Sequence, residues 1–289
     1  MLWLILAANI VFFCGSQVIV KAIVNKLNVQ KAVCLQLLSA AVIAGIYNFI
    51  SEGVKLEITY LPIAVVGFLQ VWQIYFQWKA YRYSLSKSIL FFPLSGVITV
   101  VLAAVFLGES GIYNAVLILG VVSLFSSAIL IKKGDSKSDK KEISAIAWLL
   151  YLVGSIAIGG VAVFMIKVFS LRDAPIGTFL FYWYTSSFIG SILVMVLTSR
   201  KEDKKQIFGK TAWLIPLSGL AIMLNLATIH ILFQMKEVVI VEPLRYFFGS
   251  VMVVFLGWFV FKEIKSVKKM NVLGFALGIL GAGLVIFSQ

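Results

Sequence analysis

Apolar residues run along the chain in long stretches that are separated by short charged or turn-forming segments. Most stretches are about as long as the roughly 20 residues that an α-helix needs to cross a bilayer. The pattern therefore predicts ten membrane-spanning helices. The predicted spans are 2–22, 30–50, 60–81, 86–107, 113–131, 145–168, 174–198, 211–234, 239–261 and 270–288.

Composition agrees with this pattern and excludes several classes of protein. Apolar residues make up 61% of the 289 residues and charged residues only 13%, which leaves too little polar surface to cover a soluble fold. Ten spans of roughly 20 residues leave no room for a catalytic domain outside the lipid. The sequence also has no phosphate loop, no zinc-ligand cluster and no Ser-His-Asp order. We therefore expect neither an enzyme nor a bound cofactor.

The longest polar segment, residues 132–142, lies close to the middle of the chain. Its charged side chains cannot enter lipid at an acceptable cost. We interpret residues 132–144 as a cytoplasmic linker. It would join a first five-helix repeat, residues 1–131, to a second, residues 145–289.

The two halves share a signal near their ends. Glu109 and Glu263 stand 154 residues apart, and so do Gly120 and Gly274. Each glutamate closes the fourth span of its half, where we interpret it as structural. Because each half has an odd number of spans, the repeats are inverted in the membrane, which is how secondary transporters achieve alternating access. The predicted fold class is an all-α membrane protein with ten transmembrane helices in two inverted five-helix repeats.

The net charge of +13 would suggest nucleic acid as the partner of a soluble protein, but its placement points to the lipid bilayer. Of the 24 Lys and Arg residues assigned to loops, 20 follow odd-numbered spans. Cytoplasmic loops carry this excess in membrane proteins. We therefore expect a multi-pass protein of the cell membrane, with both termini outside and no nucleic-acid partner.

Two motifs and the first span carry a resemblance to a known family. Residues 93–109 and 243–263 each run from a proline to a glutamate and precede a glycine-containing last span, and residues 13–17 are followed by Lys21. With the length and the repeat, these motifs resemble the drug/metabolite transporter superfamily and, within it, the EamA-type permeases. The resemblance implies a ten-helix transporter. Residues 261–263 depart from it, with Phe-Lys-Glu for the family's Leu-Gly-Glu, and family members usually have both termini in the cytoplasm.

The sharpest candidate site is the pair Glu242 and Arg245 near the start of the ninth span. The two share one helical face, and ionisable groups within a span are costly enough to be functional candidates. In a transport site, Glu242 would accept a proton or a cationic group and Arg245 would hold a carboxylate or phosphate. Alternatively, the two form a salt bridge that anchors the span. His230, the single histidine, either relays protons to Glu242, since histidine titrates near neutrality, or is a packed, hydrogen-bonded residue.

Polar and aromatic side chains in other spans are further candidates for lining a substrate cavity. The glutamines of the third span recur at helical spacing and share a face that lipid disfavours, so this face lines a cavity or an interhelical seam. Aromatic rings can hold a cation or a planar ring, although interfacial belts and core packing use them too. These candidates are Gln70, Gln73, Gln77 and Trp72 in the third span, Tyr182, Trp183 and Tyr184 in the seventh, Gln17 in the first and Asn225 in the eighth.

These features predict a secondary active transporter of a small polar or amphipathic metabolite, coupled to protons or to exchange. One alternative is a flippase for a lipid-linked sugar or phosphate headgroup. Another is a non-transporting scaffold that pairs through residues 274–278, whose glycines serve either packing within the fold or a homodimer. A charge pair within a span favours transport, because a scaffold has no need of it.

The charge asymmetry predicts the location of the central linker. A cysteine placed at Ser136 should resist an impermeant thiol reagent in intact cells, because the linker faces the cytoplasm. Labelling should appear once the membrane is permeabilised. Ready labelling in intact cells would reverse the assignment and give the orientation usual for the resembled family.

Overall fold

The computed structural model describes residues 1–53, 57–109, 115–134, 144–172, 174–198, 211–262 and 269–287. Within these ranges the regular elements are helices and none is a strand. A short 3-10 helix, Ile58–Tyr60, leads into the third α-helix. The α-helices are α1 (Leu2–Val24), α2 (Val29–Ser51), α3 (Leu61–Tyr83), α4 (Leu85–Ile89), α5 (Pro93–Leu107), α6 (Ala115–Gly134), α7 (Ala145–Leu171), α8 (Ile176–Thr198), α9 (Leu214–Met235), α10 (Val238–Phe259) and α11 (Lys269–Phe287).

Eight helical stretches in the described part of the chain are long and apolar enough to cross a bilayer. Their outer faces are apolar too, since Phe49, Phe106 and Leu197 are 72%, 70% and 64% exposed. Soluble proteins rarely expose large apolar patches, whereas lipid covers such a surface. The structure therefore has the all-α character of a multi-pass membrane protein.

The fourth predicted span, 86–107, is not one continuous α-helix. Regular α-helical bonding stops at Ile89 and resumes at Pro93, and the backbone N–H of Phe92 instead donates to the carbonyl of Ile89 at 3.2 Å. Proline has no N–H to donate and is tolerated in the first turn of a helix. The interruption therefore follows from the position of Pro93.

Two sequence predictions fall largely outside the described residues. Helix α6 continues to Gly134, three residues into the predicted linker. The remaining linker residues 135–143, among them Ser136, lie outside the described ranges. Glu263, the predicted counterpart of Glu109, also lies outside them.

The helices form two compact units. The first consists of Met1–Lys79 and Met165–Met235, and the second of Ala80–Phe164 and Lys236–Gln289. Each unit therefore combines helices from both predicted halves of the chain.

In the first unit, helices from opposite halves pack together: α1 against α9, and α2 against α8 and α9. Glu52, directly after α2, accepts hydrogen bonds from the backbone N–H groups of Gly177 and Thr178 at 2.7 and 2.8 Å. The first N–H groups of a helix have no partner within that helix. A carboxylate also suits the positive end of the helix dipole. Glu52 therefore links the end of α2 to the start of α8.

Helices α3 and α8 of this unit approach closely at two glycines. A Cβ atom built on Gly67 would overlap the carbonyl oxygen of Trp183 and the hydroxyl of Ser186. One built on Gly190 would lie 2.9 Å from the carbonyl oxygen of Phe68. Small residues allow this approach, which helix packing in membranes favours.

In the second unit, α10 packs against α4, α5 and α11, and α6 packs along α11. The Ser127 hydroxyl of α6 donates to the carbonyl of Gly274 at 2.6 Å, and a Cβ atom on Gly278 would lie 2.9 Å from that hydroxyl. The glycine face of residues 274–278 is thus used for packing within the fold. A homodimer would need another surface.

Glu109 performs for α10 what Glu52 does for α8. Its carboxylate accepts a hydrogen bond at 3.1 Å from the backbone N–H of Val238, the first residue of α10. The preceding residue, Gly108, ends α5 in the left-handed conformation, with φ of 69°, which glycine adopts readily. This contact supports the structural interpretation of Glu109.

The close approach of α3 and α8 predicts a stability difference between two glycine variants. Gly67→Ala should lower the free energy of unfolding in detergent by about 1–3 kcal/mol, because the added methyl group meets the backbone of α8. Gly15→Ala is the matched control, since a Cβ atom on Gly15 meets nothing within 4 Å. Equal thermal stability of the two variants would contradict the observed packing.

Candidate functional site

Glu242 and Arg245 form a buried ion pair on α10, in the second unit. The Nε and Nη2 atoms of Arg245 donate to the two carboxylate oxygens of Glu242 at 3.0 and 2.8 Å. Glu242 is fully buried and Arg245 is 4% exposed. The three-residue spacing places both on one helical face, as predicted, and the contact uses the planar fork of arginine in bidentate fashion.

Two uncharged side chains extend this pair toward α5. The Tyr246 hydroxyl lies 3.5 Å from the Ser95 hydroxyl oxygen, and the Arg245 guanidinium lies 4.2 Å from the centre of the Tyr246 ring. A Cβ atom on Gly96 would lie 3.0 Å from that ring, so the glycine gives the tyrosine its room. The charged face of α10 therefore meets the start of α5.

The interruption between α4 and α5 supplies polar groups to the same unit. In a regular helix, the carbonyl of Ile89 would accept from the N–H of residue 93, which is a proline. This carbonyl accepts the Phe92 N–H instead and, in addition, the Ser250 hydroxyl of α10, each at 3.2 Å. In membrane proteins, irregular backbone is tolerated where other protein groups satisfy it. Helix interruptions of this kind often mark functional hinges.

The first turn of α4 is tied down by further side chains. The Ser84 hydroxyl accepts from the backbone N–H of Lys87 at 3.2 Å, a common N-terminal cap. The Trp148 indole N–H donates to the Ser88 hydroxyl oxygen at 2.9 Å, and that hydroxyl donates to the Ser84 carbonyl at 2.7 Å. The interruption and the ion pair both lie in the second unit.

His230 is a packed and hydrogen-bonded residue of the first unit. It is fully buried, its ring stacks on Phe179 at a centroid distance of 4.4 Å, and its Nε2 atom lies 3.2 Å from the carbonyl oxygen of Ala174. These contacts match the alternative interpretation of this residue. Glu242 belongs to the second unit, and the proton relay between the two stays a prediction.

Two of the cations that were assigned to loops are buried within helices. Lys167 in α7 is 4% exposed and donates to the carbonyl of Phe233 at 2.8 Å, near the negative end of α9. Lys87 in α4 is 2% exposed. Their assignment to loops is therefore wrong. Because one comes from each predicted side, the charge asymmetry is almost unchanged.

Three of the candidate glutamines come together between α1 and α3 in the first unit. The Gln77 amide donates to the side-chain oxygen of Gln17 at 2.9 Å, and the Gln73 amide donates to that of Gln77 at 3.3 Å. Gln17 is buried, whereas the other two are half-buried. This set forms an interhelical seam, one of the two predicted locations.

The other candidates of the third and seventh spans make separate contacts. The Trp183 indole N–H donates to Gln70. The Tyr182 hydroxyl accepts from the backbone N–H of Glu57 at 2.8 Å, and Trp72 packs edge-on against Tyr75. Tyr182 therefore serves the segment before α3, and these residues do not form one cluster with the glutamine seam.

Tyr184 and Asn225 contact α9 and α1 respectively. The Tyr184 hydroxyl donates to the carbonyl of Ile222 at 2.8 Å. The Asn9 amide donates to the side-chain oxygen of Asn225 at 3.0 Å and to the Thr228 hydroxyl oxygen at 2.8 Å. Sequence reasoning missed Asn9, Ser95 and Tyr246. Two sequence features could have identified them: Asn9 is an isolated amide in an apolar stretch, and Tyr246 directly follows Arg245.

Comparison with known proteins adds information on the fold alone. No family model matches the chain, and no curated protein matches it. A protein known from its crystal structure superposes with a TM-score of 0.66 at 14% sequence identity, over 98% of this chain and 96% of that chain. The helical architecture is therefore shared with that protein over nearly the full length of both.

The burial of the ion pair predicts how stability responds to its removal. Arg245→Leu should lower the free energy of unfolding by about 3–5 kcal/mol, because it leaves a buried carboxylate without its partner. Adding Glu242→Gln should restore most of that loss, because it removes the isolated charge. Unfolding in detergent measures both.

Arg172→Leu serves as the matched control, since Arg172 is exposed. If Arg245→Leu were no more destabilising than this control, the ion pair would not be buried as observed.

Proposed function

We propose that the protein is a secondary active transporter that moves a small polar or amphipathic metabolite across the cell membrane by alternating access. The buried ion pair of Glu242 and Arg245 inside an apolar helix carries this proposal. Each charge within a span costs roughly 2.5–3.5 kcal/mol even on the lenient insertion scale. Apolar residues would anchor α10 at no such cost, so the pair is best explained by transport.

The proposal includes ten transmembrane helices in two inverted five-helix repeats. In that arrangement the counterpart helices of the two halves are antiparallel. Three pairs of counterparts are in contact, namely α2 with α8, α5 with α10 and α6 with α11. Glu52 joins the end of α2 to the start of α8, and Glu109 joins the end of α5 to the start of α10. Both contacts fit antiparallel counterparts.

Coupling to protons is supported by the burial of a single carboxylic side chain, that of Glu242, among the described residues. Such a group suits a carrier that couples proton movement to substrate movement.

Family and orientation remain part of the proposal. The sequence motifs are consistent with an EamA-type permease of the drug/metabolite transporter superfamily. The charge asymmetry supports cytoplasmic loops after the odd-numbered spans and both termini outside. Of the alternatives, the scaffold is disfavoured because the glycine face of residues 274–278, through which it would pair, already packs against α6. No contact among the described residues favours the flippase.

Counterflow into proteoliposomes tests the proposal. Vesicles loaded with an unlabelled metabolite extract should take up labelled components of the same extract, read by mass spectrometry. Glu242→Gln should abolish uptake that is driven by an imposed proton gradient, and Arg245→Lys should weaken binding, because an ammonium cannot reproduce the bidentate contact. Glu237→Gln and Arg172→Lys are matched controls with exposed side chains and should transport like the wild type.

The double variant Glu242→Gln, Arg245→Leu separates transport from anchoring. Removing both ends of a merely structural ion pair can be nearly neutral. Flux at the wild-type rate in this variant would therefore mean that the pair is structural. Substrate binding would then pass to the glutamine seam of Gln17, Gln73 and Gln77.

A further inference from the structure

We propose that the substrate is an organic anion whose carboxylate or phosphate group replaces the Glu242 carboxylate on Arg245, and that each anion travels with one proton bound to Glu242. This inference rests on the proposed function and names its substrate class and coupling. It follows from the geometry of the ion pair and from the charge that the buried site can hold.

Arg245 has the geometry of an oxyanion-binding site, and the chain's own Glu242 carboxylate occupies it. Arg245 presents Nε and Nη2 to both oxygens of Glu242, which is how arginine binds a free carboxylate or phosphate. Glu242 lies on the same helix only three residues earlier, so a rotation of its side chain would free this edge of the guanidinium. The Tyr246 ring would continue to support the guanidinium at 4.2 Å.

Neutrality of the buried site requires that a proton accompany the anion. In the observed state the positive Arg245 and the negative Glu242 cancel. If a singly charged anion displaced Glu242, the buried site would hold one excess negative charge, which costs several kcal/mol. One proton that binds a Glu242 oxygen restores neutrality: the Arg245–Glu242 contact breaks, the Arg245–anion contact forms, and Glu242 becomes a neutral acid.

Other charged and titratable groups lie on the elements around this pair. Tyr246 contacts the pair through its ring. The elements packed against α10 contribute Lys87 in α4, Glu109 after α5 and Lys269 at the start of α11. Glu109 is engaged at the N-terminus of α10. A cationic substrate would be repelled by Arg245, and a neutral one would leave Arg245 without a replacement for Glu242.

A fractionated extract tests the substrate class. An anion-exchange resin divides the metabolite extract into an anionic fraction and a flow-through, and each is tested by counterflow into proteoliposomes that contain a pH-sensitive dye. We expect counterflow of at least one component of the anionic fraction. Net uptake of that component into vesicles loaded with buffer alone should bring in one proton per anion, whereas in counterflow the protons that enter and leave with the exchanging anions cancel. Prior treatment of the fraction with a phosphatase should remove the signal only if the substrate is a phosphate ester.

The matched variants test the exchange mechanism. Glu242→Gln imitates the protonated acid, so anion counterflow should persist. The acidification that accompanies net anion uptake into buffer-loaded vesicles should fall on the order of tenfold or more. Glu237→Gln, which changes an exposed carboxylate directly before the same helix, should leave both unchanged. The wild-type protein alone tests the substrate class and the proton ratio, so these results stand even if a variant fails to fold.

Distinct outcomes separate this inference from the proposed function. Counterflow of flow-through components only would overturn the inference and leave a transporter in place. Net anion uptake without proton movement would overturn the coupling part in the same way. Absence of any counterflow by the folded wild type would overturn both.

Discussion

The bilayer imposes the constraint on which the structure depends: a polar group within hydrocarbon must find its partner inside the protein. The described contacts follow this rule between helices as well as within them. Glu52 and Glu109 satisfy the first N–H groups of α8 and α10, and Lys167 donates to a carbonyl near the end of α9. Each such bond joins helices that are distant in sequence. The hydrogen bonds that satisfy buried polar groups therefore also hold these helices together.

At the candidate site, the buried polar groups that satisfy each other are the charged side chains of Glu242 and Arg245. Pro93 removes a backbone donor from the fourth span, and the Ile89 carbonyl accepts the Phe92 N–H and the Ser250 hydroxyl of α10 in its place. Ser95, two residues after the proline, then lies against Tyr246 and hence beside the ion pair. One proline in the sequence is therefore connected to the helix interruption, to the packing of α5 on α10 and to the surroundings of Arg245. That chain of contacts is the structural basis for assigning function to this unit.

Sequence patterns predicted the helices well, because a span of apolar residues is a local property. They also placed Glu242 and Arg245 on one face, since a spacing of three residues determines this in any helix. The interruption at Pro93 went unpredicted because apolar residues continue through it. The partners of Asn9 and Tyr246 are separated from them by 216 and 151 residues, and no local pattern identifies such pairs. Glu263 lies outside the described residues, so its pairing with Glu109 in an inverted repeat stays a prediction.

The central claim is that Glu242 and Arg245 form an ionised pair inside a membrane-spanning helix. Infrared difference spectroscopy between the wild type and Glu242→Gln in lipid nanodiscs isolates the absorption of this one carboxyl group. At neutral pH and without substrate, the account predicts the bands of an ionised carboxylate held by a strong hydrogen-bond donor. The carbonyl band of a protonated acid under those conditions would contradict it.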